Sequence, residues 1–267
     1  MKYFDKGNNK LIFTGFDSVP KSWELHWKKI DIEEAISSEK NNRFILDLLK
    51  KYMPDKKGCI IEGGCGIASK VYSMELCGYN VIGIDFSYST LNRVKRKFQN
   101  LKLLAADLNY LPIASSSIKV FWSLGLIEHF YQGYSELISE IYRVLEPGGF
   151  LFLSFVAMNP LRSLKARLGV YGDLHNYDGA NFYQYALDKR TVKAHFLDSG
   201  FSVLEEGNLG GIKGLKEEVR YFRRSLQKLY DYKPSSIITK LFKYGLDKLW
   251  APMFGHMHFF VLKKSNN

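Results

Sequence analysis

The 267 residues are 46 % hydrophobic and 24 % charged, ordinary values for a folded chain, and they exclude disordered, collagenous and disulfide-stapled classes. The longest apolar stretch, Phe150 to Met158, falls far short of the ~20 residues a bilayer-spanning helix needs, and the first residues lack a signal-peptide apolar core. The formal charge is +11, and ten Lys/Arg against four acids between Lys213 and Lys248 place more than half of that excess in one segment. Such a segment suits a solvated helical face, an anionic surface or acceptor, or RNA.

Residues 22–53 carry helix-spaced apolar positions at Ile30, Ile36, Ile45, Leu48 and Leu49, so residues 1–54 are expected to form a helical cap. A first core strand over 58–62 ends in an acid, Glu62, and runs into a turn holding Gly63, Gly64, Cys65 and Gly66. Glycines in that place let the backbone take positive φ and let a ligand approach the main chain. A helix over about 66–77 stops at Gly78, and a second strand, 80–85, ends in Asp85 with Phe86 and Ser87 directly after it. An acid about 20 residues beyond a glycine turn in a βαβ unit can accept both ribose hydroxyls of a nucleoside.

The two acids together define the ligand. Glu62 beside the turn would repel a pyrophosphate and attract an ammonium or sulfonium, which suggests a cationic nucleoside without phosphates; S-adenosylmethionine fits. The rival, a nicotinamide or flavin dinucleotide, needs a third glycine at the position of Ser69 and phosphates next to Glu62.

Further along, Ser87 or Ser89 caps a basic helix to about 98, and strands follow over 101–105, near Asp107 and Leu108, and over 118–123, before Leu124. A helix over 133–145 meets the turn Glu146-Pro147-Gly148-Gly149, and the apolar run 150–155 reads as a buried parallel strand. A helix over 189–199 and strands over 201–205 and 257–263 complete the pattern. Alternating strands and helices argue for an α/β, doubly wound, Rossmann-like fold. Its mostly parallel sheet has seven strands, with helices on both faces and ligands at the strands' C-terminal ends. The core is expected over 55–206 and 255–264. Residues 157–188 and 207–254 exceed what such connections need and are expected to be helical lids over the acceptor side.

These motifs resemble those of the class I S-adenosylmethionine-dependent methyltransferases of small-molecule type, strongly over about 40–156. Ile61-Glu62-Gly63-Gly64-Cys65-Gly66 resembles the family's first motif, Asp85 its ribose acid, and Ala106-Asp107-Leu108 the segment contacting adenine. Leu124-Gly125-Leu126-Ile127-Glu128-His129 is similar to the segment after strand four, and Leu145-Glu146-Pro147-Gly148-Gly149 to the Leu-x-Pro-Gly-Gly turn. Ala68 stands where the family has a further glycine. The resemblance implies S-adenosyl-L-methionine as cofactor, held by Glu62, Gly63, Gly64, Cys65, Gly66, Asp85, Phe86, Ser87, Asp107, Leu108 and Leu124. It also implies methyl transfer to an O, N or C nucleophile of a small or lipid-like acceptor.

His129 falls where the methyl group should sit and is a candidate general base. Trp23, His26 and Trp27 either fold over the donor or staple the N-terminal helix. No metal site is expected, His256 and His258 lacking a third ligand. Cys59, Cys65 and Cys77 form no CxxC pair, so reduced thiols in the cytoplasm are expected. The alternatives are an RNA methyltransferase using 213–248 and a silent donor-binding scaffold. Against RNA, no nucleic-acid-binding module accompanies the basic segment.

Overall fold

A computed structural model describes residues 1–15, 19–39, 43–219, 221–232 and 236–266. Arg220 and Lys233 of the basic segment lie outside them.

In chain order the elements are β1 (Lys2–Asp5), β2 (Lys10–Thr14), α1 (Pro20–Lys28), α2 (Ile32–Glu39), α3 (Arg43–Tyr52), β3 (Cys59–Gly63) and α4 (Ser69–Leu76). There follow β4 (Asn80–Asp85), α5 (Tyr88–Lys97), β5 (Lys102–Ala105), β6 (Ile118–Leu124), a 3₁₀ turn over Ile127–His129, α6 (Ser135–Val144) and β7 (Leu145–Val156). The remainder comprises α7 (Pro160–Arg167), β8 (Gly172–Asp173), β9 (Phe182–Ala186), α8 (Lys189–Asp198), β10 (Phe201–Leu209), α9 (Gly211–Glu218), α10 (Arg223–Asp231), α11 (Ile237–Phe254) and β11 (Met257–Lys264).

The main sheet has seven strands in the order β10-β11-β7-β6-β3-β4-β5. The β7-β6-β3-β4-β5 pairs are parallel, and β11 runs antiparallel between β7 and β10. This is the α/β, mostly parallel, doubly wound arrangement expected from the sequence. Successive residues of its strands enter opposite cores, as the pleat requires. Ile61, Phe121 and Leu151 pack with Ile138 of α6 and Phe196 of α8. Ile60, Val120 and Phe152 pack on the other face with Leu49 of α3 and Val71 of α4.

Helix starts follow their cap residues. Ser87 Oγ accepts the Thr90 N–H at the start of α5, Asn159 Oδ1 accepts that of Arg162 before Pro160, and Asp188 accepts those of Arg190 and Thr191. Ala68 takes φ +58 with no exposed surface, a left-handed conformation that explains why glycine suits this position.

The N-terminal segment differs from the helical cap expected over 1–54. Its first part is a hairpin, β1–β2, and the described residues of 22–53 fall into three helices, α1, α2 and α3. The hairpin joins a second sheet, β8-β1-β2-β9, whose other strands come from 157–188. That segment is therefore not a loose lid: β9 pairs with β2 and buries Ala186 against Leu11 and Val156.

A buried ionic clasp ties the parts together. Arg162 of α7 is fully buried; its Nε donates to Glu218 Oε1 at 2.9 Å, and its Nη1 donates to the Ala157 carbonyl at 2.6 Å. Glu218, at the end of α9, also accepts from Lys2 Nζ (2.6 Å), Lys165 Nζ (3.1 Å) and Tyr171 Oη (2.7 Å). His256 lies against Arg162 and Glu217, and His258 Nδ1 meets Asn208 Oδ1 at 2.7 Å, so both histidines are parts of the packing. Among the described residues no three His, Cys, Asp or Glu converge to hold a metal.

Candidate functional site

The chain order reverses between β3 and β6, which opens a crevice at their C-terminal ends. A cavity of about 320 Å³ lies there. Its core lining consists of the residues at and just past four strand ends: Gly64 after β3, Asp85 and Phe86 at β4, Ala106 to Leu108 after β5, and Gly125 and Leu126 after β6. Trp23 and Trp27 of α1 form another wall, and His129 and Phe130 the remaining one.

The glycine turn is built for close approach. Gly64 and Gly66 have φ of +71° and +51°. A Cβ on Gly64 would strike Leu126 at 2.9 Å, and one on Gly66 would strike the Trp27 ring at 2.6 Å. The amides of Gly64 and Cys65 donate to the Ile84 carbonyl at 2.8 and 3.0 Å, which fixes the turn against β4. Asp85 completes the tie: its two oxygens accept the Gly66 and Ser87 N–H groups, each at 2.9 Å.

The cavity is acidic. Asp85 is 4 % exposed; burial raises its pKa, while the two amides hold it down. Glu62, also buried, has one carboxylate oxygen without a hydrogen-bond partner, and burial pushes it up to about 7. Asp107 lies on the rim, with no Lys or Arg among the described lining residues. Two phosphates would find no cationic partner there, whereas a cationic nucleoside would meet carboxylates.

Trp23 and Trp27 stack with ring centroids 6.1 Å apart, and Trp23 meets the His129 ring edge-on at 4.8 Å. The Trp27 carbonyl accepts from Arg93 of α5 at 3.0 Å, which anchors the helix to the core. These aromatics therefore line the cavity and also anchor α1 to the core. His129 Nδ1 lies 2.8 Å from the Tyr183 carbonyl of β9. A carbonyl only accepts, so Nδ1 carries the proton and Nε2 keeps its lone pair. Burial lowers the His129 pKa, partly offset by that bond, and favours the neutral ring.

Of the residues expected to hold the cofactor, Gly64, Asp85, Phe86, Asp107 and Leu108 line the cavity. Glu62, Gly63, Cys65, Gly66, Ser87 and Leu124 do not. Gly63 faces Phe121, Cys65 Sγ packs under Gly83, Gly66 lies beneath Trp27, and Ser87 caps α5. Leu124 is the last residue of β6, so its place on the wall is taken by Gly125 and Leu126 just beyond the strand end. The sequence leaves Trp27 open between covering the donor and stapling the helix, and it does not assign the wall formed by Phe130. No described lining residue comes from 157–188 or 207–254, although Tyr183 of β9 holds His129 through its carbonyl and sets its ring 6.3 Å from that of Trp23.

The profile of the family described as "Methyltransferase domain" matches residues 61–153. Malonyl-[acyl-carrier protein] O-methyltransferase of Hamiltonella defensa is 29 % identical over 162 residues, covering 61 % of this chain and 58 % of that one. A probable S-adenosylmethionine-dependent methyltransferase of Mycolicibacterium smegmatis is 28 % identical over 95 residues, 36 % of this chain and 37 % of that one. The chain thus spans about half the length of the curated relatives it matches. Among solved structures, a Pyrococcus horikoshii protein superposes with TM-score 0.58 at 16 % identity, covering 92 % of this chain and 100 % of that one. Phosphoethanolamine N-methyltransferase 2 of Haemonchus contortus, solved with S-adenosylhomocysteine, gives TM-score 0.52 at 20 % identity over 82 % of this chain and 52 % of that one. Fold, motif order and relatives agree. Residues 61–153 match the methyltransferase-domain family, and the chain is similar in sequence and fold to S-adenosylmethionine-dependent methyltransferases.

Proposed function

We propose that the chain transfers the methyl group of S-adenosylmethionine to a nucleophile on a small or lipid-like acceptor. The observation that carries this reading is the cavity at the strand ends, with Asp85 and Asp107 on it, no Lys or Arg among its described lining residues, and Trp23 and Trp27 folded across it. The donor supplies a sulfonium methyl that leaves readily in an in-line displacement. The residues present fit it: Asp85 suits ribose hydroxyls, Asp107 and Leu108 the adenine, and the glycine turn the methionine part. The partnerless oxygen of buried Glu62 lies behind that turn, where a nearby sulfonium or ammonium would favour its ionised form.

What the chain itself must do is position and exclude water. The two tryptophans shield the cavity, and Tyr183 fixes the His129 ring so that Nε2 is the basic atom. Where the acceptor is a hydroxyl, Nε2 takes its proton; a carboxylate or amine needs no such help. The Hamiltonella relative is named as a malonyl-[acyl-carrier protein] O-methyltransferase, which supports an oxygen nucleophile. Tyr131, Phe182 and Tyr185, with ring centroids 4.7–6.3 Å apart, support an apolar or aromatic acceptor beyond Phe130. The three free cysteines favour a reducing, cytoplasmic setting.

The test is transfer of radiolabelled methyl from S-adenosylmethionine to fractionated cell extract. Label in the small-molecule or lipid fraction supports the reading. Label only in RNA, or donor binding with no transfer to any fraction, contradicts it.

A further inference from the structure

Helix α11 presents an apolar face that no described part of the chain covers. Ile237, Ile238, Leu241, Phe242, Leu249 and Met253 are each at least half exposed. At 100° per residue they occupy a continuous arc of roughly 160°. The helix is a formed element: Ser236 and Thr239 make a reciprocal capping box at its start, and α11 packs against α9, α7 and β10. Six large apolar side chains in one arc exceed the scattered exposure that soluble surfaces ordinarily show.

The charge around this face is predominantly positive. Lys240 and Lys248 are exposed on α11, and Lys243 donates to the Tyr230 and Tyr232 carbonyls at 2.6 and 2.7 Å, which docks the end of α10 beside it. α10 turns Arg223, Arg224 and Lys228 outward. Two acids lie among these cations: Asp247, whose Oδ1 accepts the Ile212 N–H that opens α9, and Asp231, which accepts from Gln227. The surface is thus an apolar stripe accompanied by six cations against two acids.

We propose that α10 and α11 form a docking surface for an anionic lipid bilayer, on which α11 lies in the interface plane. A second copy of the chain would bring the same cations against these, which disfavours self-association; phosphatidylserine-like headgroups are complementary to them. No described helix is long and apolar enough to cross a membrane, so contact is along the surface. The face contributes no residue to the donor cavity.

The test is co-sedimentation of the full chain with vesicles at ~0.15 M salt. Phosphatidylcholine vesicles containing about 30 mol % phosphatidylserine are compared with pure phosphatidylcholine. Binding to the anionic vesicles, with about tenfold or greater loss on pure phosphatidylcholine, is expected. The exposed double substitution Leu241→Glu/Phe242→Glu and, separately, Lys240→Glu/Lys248→Glu should each abolish it. S-adenosylhomocysteine affinity of these variants should stay at the wild-type value, which reports that they fold. Equal binding to both vesicle types, or no binding to either, overturns the proposal. So does a dimer in light scattering that Leu241→Glu/Phe242→Glu dissolves without any vesicle binding, or RNA binding that outlasts that substitution while vesicles are ignored. The sedimentation readout needs no methyl transfer, so it stands or falls apart from the donor site.

Discussion

Glu218→Ala should destabilise the protein by about 3 kcal/mol. The Glu218 side chain is fully buried and accepts from four donors, two on α7, one on β1 and one in the loop before β8, so its removal strands several charges at once. Lys2 and Lys165 retain some exposure, at 24 % and 22 %, and can turn to water; Arg162, at 0 %, cannot. Removing one partner of a buried pair costs about 3–5 kcal/mol. The Ala157 carbonyl and Glu217, 3.6 Å from Arg162, keep the loss at the lower end. At about 2–4 °C per kcal/mol for a chain of this size, the melting temperature should fall by roughly 6–12 °C. The double substitution Arg162→Met/Glu218→Leu, which removes the charges together, should recover much of that loss.

The clasp also sets an acid limit. Burial opposes ionisation of Glu218, but Lys2 and Arg162 outweigh it and hold the group at about 2, against an ordinary 4.5. A carboxylate depressed in the folded state contributes stability that is fully present above about 4.5 and is lost as pH falls towards 2. Urea denaturation at pH 7 and pH 3.5 should therefore separate wild type from Glu218→Ala less at the lower pH. A Glu218→Ala variant within about 1 kcal/mol of wild type at pH 7, or a gap that grows on acidification, would refute this reasoning.

Asp85→Ala should weaken S-adenosylhomocysteine binding by about 1.5–3 kcal/mol, roughly 10- to 150-fold by calorimetry, through loss of charge-assisted bonds; unchanged affinity would remove Asp85 from the site. Trp27→Ala strips the ring from Gly66 and should weaken the same ligand about fivefold or more, which tryptophan-quenching or calorimetric titration checks. His129→Phe should lower kcat by about 10²–10⁴-fold on a hydroxyl acceptor while leaving S-adenosylhomocysteine affinity intact. Because burial lowers the His129 pKa, the acid limb of the wild-type rate profile should lie below the usual histidine range. A limb at or above that range counts against His129 as the base.

The main sheet was legible because each βα unit carries its own local signal, an apolar run followed by an acid or glycine at the strand end. Those same ends supply Gly64, Asp85 and Asp107, so half of the cavity came with the strands. What was not legible depends on distant partners. β1 and β2 are four and five residues long and find their outer partners, β8 and β9, more than 160 residues away, so no local pattern marks them as sheet. The spacing of Trp23 and Trp27 places them on one face of α1, but only the tertiary fold lays that face on Gly66. Leu124 and Leu126 differ by a strand end that periodicity locates no better than two residues. The lengths of the long insertions are taken up in part by the second sheet and by packing of α11 on α9 and α7, partners that no local pattern names.

The most direct test of the central claim is calorimetric titration of the full chain with S-adenosylhomocysteine and, separately, with NAD. The acidic cavity and its lack of Lys and Arg among the described lining residues predict saturable, one-site binding of S-adenosylhomocysteine and none of NAD. Binding of NAD in its place would contradict the account.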